Sequence, residues 1–258
     1  MSRDSGLATK WRPPRGGFSE LLRVQARLAL REPYFLLGIG LPAGLLVVFW
    51  LIGLWASGGV GSSGLTVLEL YIPTVLVIGY IAIGLMGLPV TFARDREIGW
   101  LRRVSTTPVP PSRLLAAQLV FNLGIAVVAT VLVLVLGTLM LGFPVPVGVA
   151  FVGVAVLATV EMFSLGLIVA AIAPTQTAAN AIAGGLFFPL LFFSGLWVQP
   201  VQVSGPLQTA IYYSPAGAAV KALLDTTFSS TPPYLPVATM LGYAVAFAFV
   251  ASRSFRWE

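Results

Sequence analysis

The chain has 258 residues, 57% of them hydrophobic and only 9% charged, with a formal net charge of +6. Soluble domains carry about 25% charged residues, so this composition belongs to the membrane class. Cys and His are absent, and neither lysine (Lys10, Lys221) follows the glycine of a phosphate-binding loop, so disulfides, thiol or imidazole catalysis, His- or Cys-held metals and ATP hydrolysis by this chain are excluded.

Residues 1–17 are basic and rich in Pro and Gly, and read as a flexible cytoplasmic tail. From Phe18 the text becomes FSELLRVQARLALRE, with Ser19 able to cap a helix. Glu20, Arg23, Arg27 and Arg31 recur at helical spacing, with Leu21, Leu22, Leu28 and Ala29 largely on the other side. The pattern predicts a helix over 18–33 lying in the membrane plane, with its Arg tips among headgroups. A plain soluble helix or basic flank is the alternative.

Six apolar runs follow, at 34–56, 68–92, 114–141, 147–172, 178–198 and 234–251. A span needs about 20 residues at 1.5 Å rise, and lipid cannot satisfy an open backbone, so all six are predicted transmembrane helices. The connections set the orientation. With both termini inside, fourteen of the fifteen basic residues lie on the cytoplasmic side; the reverse orientation leaves one there. This confinement of the basic residues to the ends and one loop also argues against nucleic acid as a partner.

The loop at 94–113, RDREIGWLRRVSTTPVPPSR, holds five of those arginines. Ile98, Leu101 and Val104 repeat every three residues, with Trp100 beside them as an interfacial anchor; Glu97, Arg102 and Arg103 point elsewhere. This predicts a short amphipathic helix with its polar face toward the cytoplasm, ended by the proline run after Thr107. The segment 199–233 has Pro200, Pro206, Pro215 and Pro232–Pro233 separating apolar pieces at 207–213 and 216–224. Such pieces suit helices that dip into the outer leaflet and return.

Single residues leave alternatives open. Glu161 sits near the middle of the fourth run, where a charge costs about 2.5 kcal/mol or more unless it is neutralised, paired or hydrated. It is either a polar group on a translocation path or dimer seam, or a neutral acid bonded to a neighbouring span through Gln118 or Asn122. Asn180 either lines a vestibule or satisfies a helix end. Phe188 and Phe192, among the aromatics of 187–193, either line a cavity or face lipid. Glu69 reads as a solvated cap, and Lys221 with Asp225 as a local ion pair. Gly40 and Gly44 form a small-xxx-small element that permits close helix packing.

Two motifs carry a family resemblance. Arg96-Glu97-Ile98-Gly99-Trp100-Leu101 with Thr107-Pro108-Val109 is the first. Phe193-Ser194-Gly195-Leu196-Trp197-Val198, followed by Pro206-Leu207-Gln208 and Tyr213-Ser214-Pro215, is the second. Over residues 18–251 the chain resembles the permease subunits of ABC type-2 transporters, including bacterial drug- and antibiotic-export members. It departs from them where Ala216, Gly217 and Ala218 stand in the region of a frequent histidine.

The resemblance implies an all-α integral membrane protein of the bacterial cytoplasmic membrane. It has six spans, an in-plane connecting helix, a cytoplasmic coupling helix and re-entrant helices between spans 5 and 6. Arg96, Glu97, Gly99, Trp100, Leu101, Arg102 and Arg103 would face a separate P-loop ATPase subunit that holds ATP and magnesium. Ser194, Gly195, Pro206 and Pro215 would form the re-entrant motif. The partners implied are that ATPase, a second permease copy or paralogue, and membrane lipid. A standalone secondary carrier or channel is the competing class, and it usually shows intramembrane ionisable pairs or broken repeat helices.

Overall fold

The computed structural model describes residues 33–53, 67–99, 111–146, 148–229 and 231–254, and these are helical without any strand. The expected tail at 1–17, most of the in-plane helix at 18–33 and residues 100–110 lie outside the described residues. Helix α1 is Pro33–Gly53, α2 Val67–Ile81, a π-helical segment Ala82–Gly87, and α3 Leu88–Glu97. Then follow α4 Pro111–Leu141, α5 Val149–Ile172, α6 Gln176–Phe193, α7 Pro206–Tyr213, α8 Pro215–Phe228 and α9 Tyr234–Ser254.

The apolar runs form helices because a hydrophobic chain removed from water must satisfy its own backbone. Five of the described helices are long and apolar enough to cross a membrane, the continuous α2–α3 rod among them; the described apolar part of α1, Leu37–Gly53, is shorter. Among the described residues α1 begins at Pro33.

Pairs of residues set the directions. Pro42 packs against Gly79 and Gly38 against Ile83, so α1 and α2 are antiparallel. The hydroxyls of Tyr80 and Thr130 lie 2.8 Å apart, and Gly137 packs on Ile72, so α4 is antiparallel to α2 as well. Ala150, Gly153 and Leu157 share a cavity wall with Tyr234 and Val237, so α5 and α9 run side by side in the same direction. The six long helices thus alternate. The start of α1 and the end of α9 fall at the same end of the bundle as Glu97.

The most buried element is α2 with its π segment, where Ile72, Val75 to Ile78 and Tyr80 to Leu85 are all sealed from solvent. There the backbone of the π segment meets α5. A Cβ on Gly166 would lie 2.0 Å from the Gly84 carbonyl oxygen, and one on Gly84 would lie 2.7 Å from that of Met162. Small residues at this crossing let two backbones touch. Among the described residues Gly40 and Gly44 make no such contact, with nothing within 4 Å of a Cβ at either, and Gly38 and Gly79 make the close approach between α1 and α2.

Three boundaries move. The second span does not stop at Phe92 but continues as helix to Glu97, because charged residues beyond the hydrocarbon edge keep their backbone bonds. Over the 31 residues from Val67 to Glu97 this rod is about 46 Å long, well beyond the roughly 30 Å of a hydrocarbon core. The short helix expected over 97–104 does not begin at Glu97, since Gly99 has φ +66° and ends α3. The fifth helix stops at Phe193, short of Val198: Gly195 has φ +82°, and the Leu196 N–H donates to the Leu191 carbonyl. This is a glycine-closed helix end of the Schellman type.

Candidate functional site

At the Glu97 end of the bundle, α3, the end of α5 and the start of α6 meet in a cluster of small side chains, Ala93, Ala173 and Ala179, with Val90 and Ile182 packed around it. Arg96 closes the cluster. Its Nη1 donates to the Ala173 carbonyl at 2.9 Å and its Nη2 to the Ala170 carbonyl at 3.2 Å. These are orphan carbonyls at the C-terminus of α5, where the helix dipole favours a cation. The chain then turns through Pro174, and Thr175 caps α6 by accepting from the Ala178 N–H at 3.1 Å.

Among the expected coupling residues, Arg96 is therefore turned into the bundle. Glu97 is exposed, as is Ile98 at 59%. Gly99 forms the turn, its N–H donating to the Arg96 carbonyl at 3.1 Å. Trp100, Leu101, Arg102 and Arg103 lie outside the described residues.

Asn180, Phe188 and Phe192 all lie on α6. All three are exposed, Phe188 at 65% and Phe192 at 40%. Glu161 is not brought to them. It is fully buried on α5, and neither carboxyl oxygen has a hydrogen-bond partner. The expected link to Gln118 or Asn122 is absent; the Asn122 Nδ2 donates instead to the Gln118 backbone carbonyl at 2.8 Å.

At the opposite end, the motif residues form a buried polar knot. The Ser194 Oγ donates to the Leu191 carbonyl at 2.7 Å, and Thr74 Oγ1 donates to the Ser194 carbonyl at 3.3 Å. Gln199 Nε2 donates to the Gly195 carbonyl at 3.2 Å. Thr74 and Gln199 escaped the sequence reading because a threonine in an apolar run and a glutamine in a loop give no local sign that they meet.

Pro206 and Pro215 each open a helix, α7 and α8. Between them, Ser214 Oγ donates to the Ile211 carbonyl at 2.7 Å and accepts from the Gly217 N–H at 3.0 Å. One hydroxyl thus closes the end of α7 and the start of α8. The signal was available: Ser before Pro is an N-cap followed by the first helical position. The Tyr243 hydroxyl donates to the Tyr213 carbonyl at 3.1 Å. Tyr243 lies nine residues into α9, so the α7–α8 tip is tied to that helix beyond its first two turns. The buried face of α8, Ala216 to Val220 with Ala222 and Leu223, packs against α2, α5 and α9. Lys221 and Asp225 pair on its partly buried side, as expected.

Two cavities flank α5. One of about 300 Å³ lies between α5, α8 and the start of α9. The other, about 210 Å³, opens between α4 and α5 over Tyr80, Thr130 and Thr159. Neither takes in Glu161, Asn180, Phe188 or Phe192.

Several long apolar helices with buried backbones in contact, and polar groups gathered at the two ends, define a multi-pass membrane protein. Residues 17–228 match the family described as ABC-2 type transporter, and the chain belongs to that family. Its class is thus an ABC permease, a membrane transport component that is not itself catalytic. No curated protein matches the chain.

Proposed function

We propose that the chain is the permease subunit of an ATP-driven exporter in a bacterial cytoplasmic membrane. It forms, with a second copy or a paralogue, the path for a hydrophobic or amphipathic substrate such as a drug, lipid or glycolipid. The family match supports the permease role. The chain has no phosphate-binding loop, so ATP is bound and hydrolysed by a separate P-loop ATPase subunit.

The observation that carries this reading is the charged end of α3. A helix sealed in the bundle from Leu70 onward emerges as Arg94-Asp95-Arg96-Glu97, giving one rigid rod with a polar tip. A partner that moves this tip moves the centre of the permease. The contact face proposed is Glu97 with Arg102 and Arg103, supported by Gly99, Trp100 and Leu101.

The arginine distribution supports a cytoplasmic location for this end and for both termini. The alternating helix directions support six spans, with α1 as the sixth. The depth of the Tyr213–Tyr243 contact supports a re-entrant α7–α8 pair dipping from the outer side. The exposed α6 residues Asn180, Phe188 and Phe192 are the proposed path or seam. Glu161, sealed here, would join the path only in a state that parts α5 from its neighbours.

The test is purification from the native membrane, followed by reconstitution in lipid vesicles. A P-loop ATPase should accompany the chain, and its hydrolysis should rise in the complex. Export of a lipophilic fluorescent cation that persists after the ATPase is inactivated would overturn the reading in favour of a standalone carrier or channel.

A further inference from the structure

We infer that Arg96 is a positioning residue that acts inside the chain: it ties the end of α3 to the α5–α6 turn, so that a displacement of the 94–113 connector is delivered to α5 and α6. This rests on the reading of that connector as the ATPase-facing segment.

Three features carry the inference. First, the guanidinium spans two carbonyls of one helix end, Ala170 and Ala173, at 3.2 and 2.9 Å. A planar fork can hold both at once, whereas a lysine ammonium offers a point charge on a flexible stem. The cation also lies at the negative end of the α5 dipole, which strengthens both bonds.

Second, the surrounding packing leaves little slack. Ala93, Ala173 and Ala179 are fully buried against one another. Methyl groups have no rotamers to absorb a shift, so the ends of α3, α5 and α6 move together or come apart. Thr175 caps α6 two residues beyond Ala173, so the clasp holds the end of one helix and the beginning of the next.

Third, the helix ends immediately beyond the clasp. Gly99 takes the left-handed conformation three residues after Arg96. Arg96 thus sits on the last turn of α3, where a displacement of that helix end reaches α5 and α6 through the clasp. On that last turn Glu97 is exposed, whereas the half-buried Arg96 is turned onto the end of α5.

The experiment has two arms. In the full chain alone, amide hydrogen exchange over residues 167–178 should rise about tenfold in Arg96→Ala and less in Arg96→Lys, as the α5 end loses charge-assisted bonds. In the chain with its ATPase, a single cysteine at the exposed Thr177 (a clean label, since the sequence has no cysteine) reports α6. ATP with vanadate should change its labelling rate several-fold in the parent. Arg96→Ala should abolish that response while ATPase recovery stays normal, and Arg96→Lys should restore part of it.

Unchanged exchange in Arg96→Ala overturns the clasp. Faster exchange with an intact nucleotide response overturns the transmission. Loss of ATPase recovery in Arg96→Ala with parental exchange makes Arg96 a subunit contact and overturns the inference. A parent complex with no nucleotide response sinks the connector reading itself, and the transmission falls with it.

Discussion

Gly166 and Gly84 are in backbone contact. A Cβ on Gly166 would lie 2.0 Å from the Gly84 carbonyl oxygen, closer than any side-chain carbon can approach. The π segment and α5 therefore depend on each other's lack of a side chain. Gly166→Ala should destabilise the fold by about 1–3 kcal/mol, as overpacked cores do. Thermal unfolding in detergent checks this, with Gly124→Ala as control, since nothing lies within 4 Å of Gly124. Equal unfolding temperatures for the two variants would show that the crossing is looser than described.

Ser214 serves two helix ends with one hydroxyl. Ser214→Ala should cost about 1–2 kcal/mol through the lost cap and a buried N–H left unpaired. Ser214→Thr keeps the hydroxyl and should recover most of the loss. Unfolding that is indifferent to both changes would remove the hydroxyl from the account of the α7–α8 joint.

Glu161 has both oxygens buried without a partner. An unsatisfied buried polar group costs about 1–3 kcal/mol, so Glu161→Leu, of similar volume, should raise the unfolding temperature. Glu161→Gln should insert normally. Both should alter export of the lipophilic cation if the acid is kept for transport. Lower stability in the Leu variant would mean the carboxyl has a partner; unchanged transport would leave it a structural residue.

Much of this architecture was legible in the chain, for physical reasons that differ by element. The apolar runs fix helices because hydrocarbon tolerates no open backbone, and α4 and α9 end within a few residues of expectation. The α7–α8 pair was legible because Pro206 and Pro215 can only open helices there. What was not legible depends on partners distant in sequence. The π segment has no local signature, being a register change beside α5. Arg96 shares a run with Arg94, Arg102 and Arg103, and nothing local indicates that it caps another helix. The glycines that touch are Gly38, Gly79, Gly84 and Gly166, not the regularly spaced Gly40 and Gly44. Spacing along one helix does not reveal which face its neighbour covers.

Glu97 is exposed on the last turn of α3. Reversing its charge with Glu97→Lys, or that of Arg102 with Arg102→Glu, should lower recovery of the ATPase severalfold without changing thermal unfolding of the chain. Normal recovery and normal stimulation of ATP hydrolysis in both variants would move the contact face elsewhere.

Single cysteines can establish sidedness, because the parent sequence has none. Ile98→Cys should react with a membrane-impermeant maleimide only after cells are opened. Leu207→Cys, exposed on α7, should react in intact cells. The opposite pattern would put the arginine-rich connector outside, beyond the reach of any cytoplasmic ATPase.

The tip at Tyr213 and Ser214 rests against Tyr243, yet α9 is translated after α7 and α8. While the ribosome is still at Phe228, α2 and α5 can already receive part of the buried face of α8, but its α9 wall does not exist. The hairpin therefore gains its last contacts, those with α9, only after its own translation is complete. A chain halted before Tyr234 would leave the side of α8 that meets α9 uncovered, and the Tyr213 carbonyl without the Tyr243 hydroxyl.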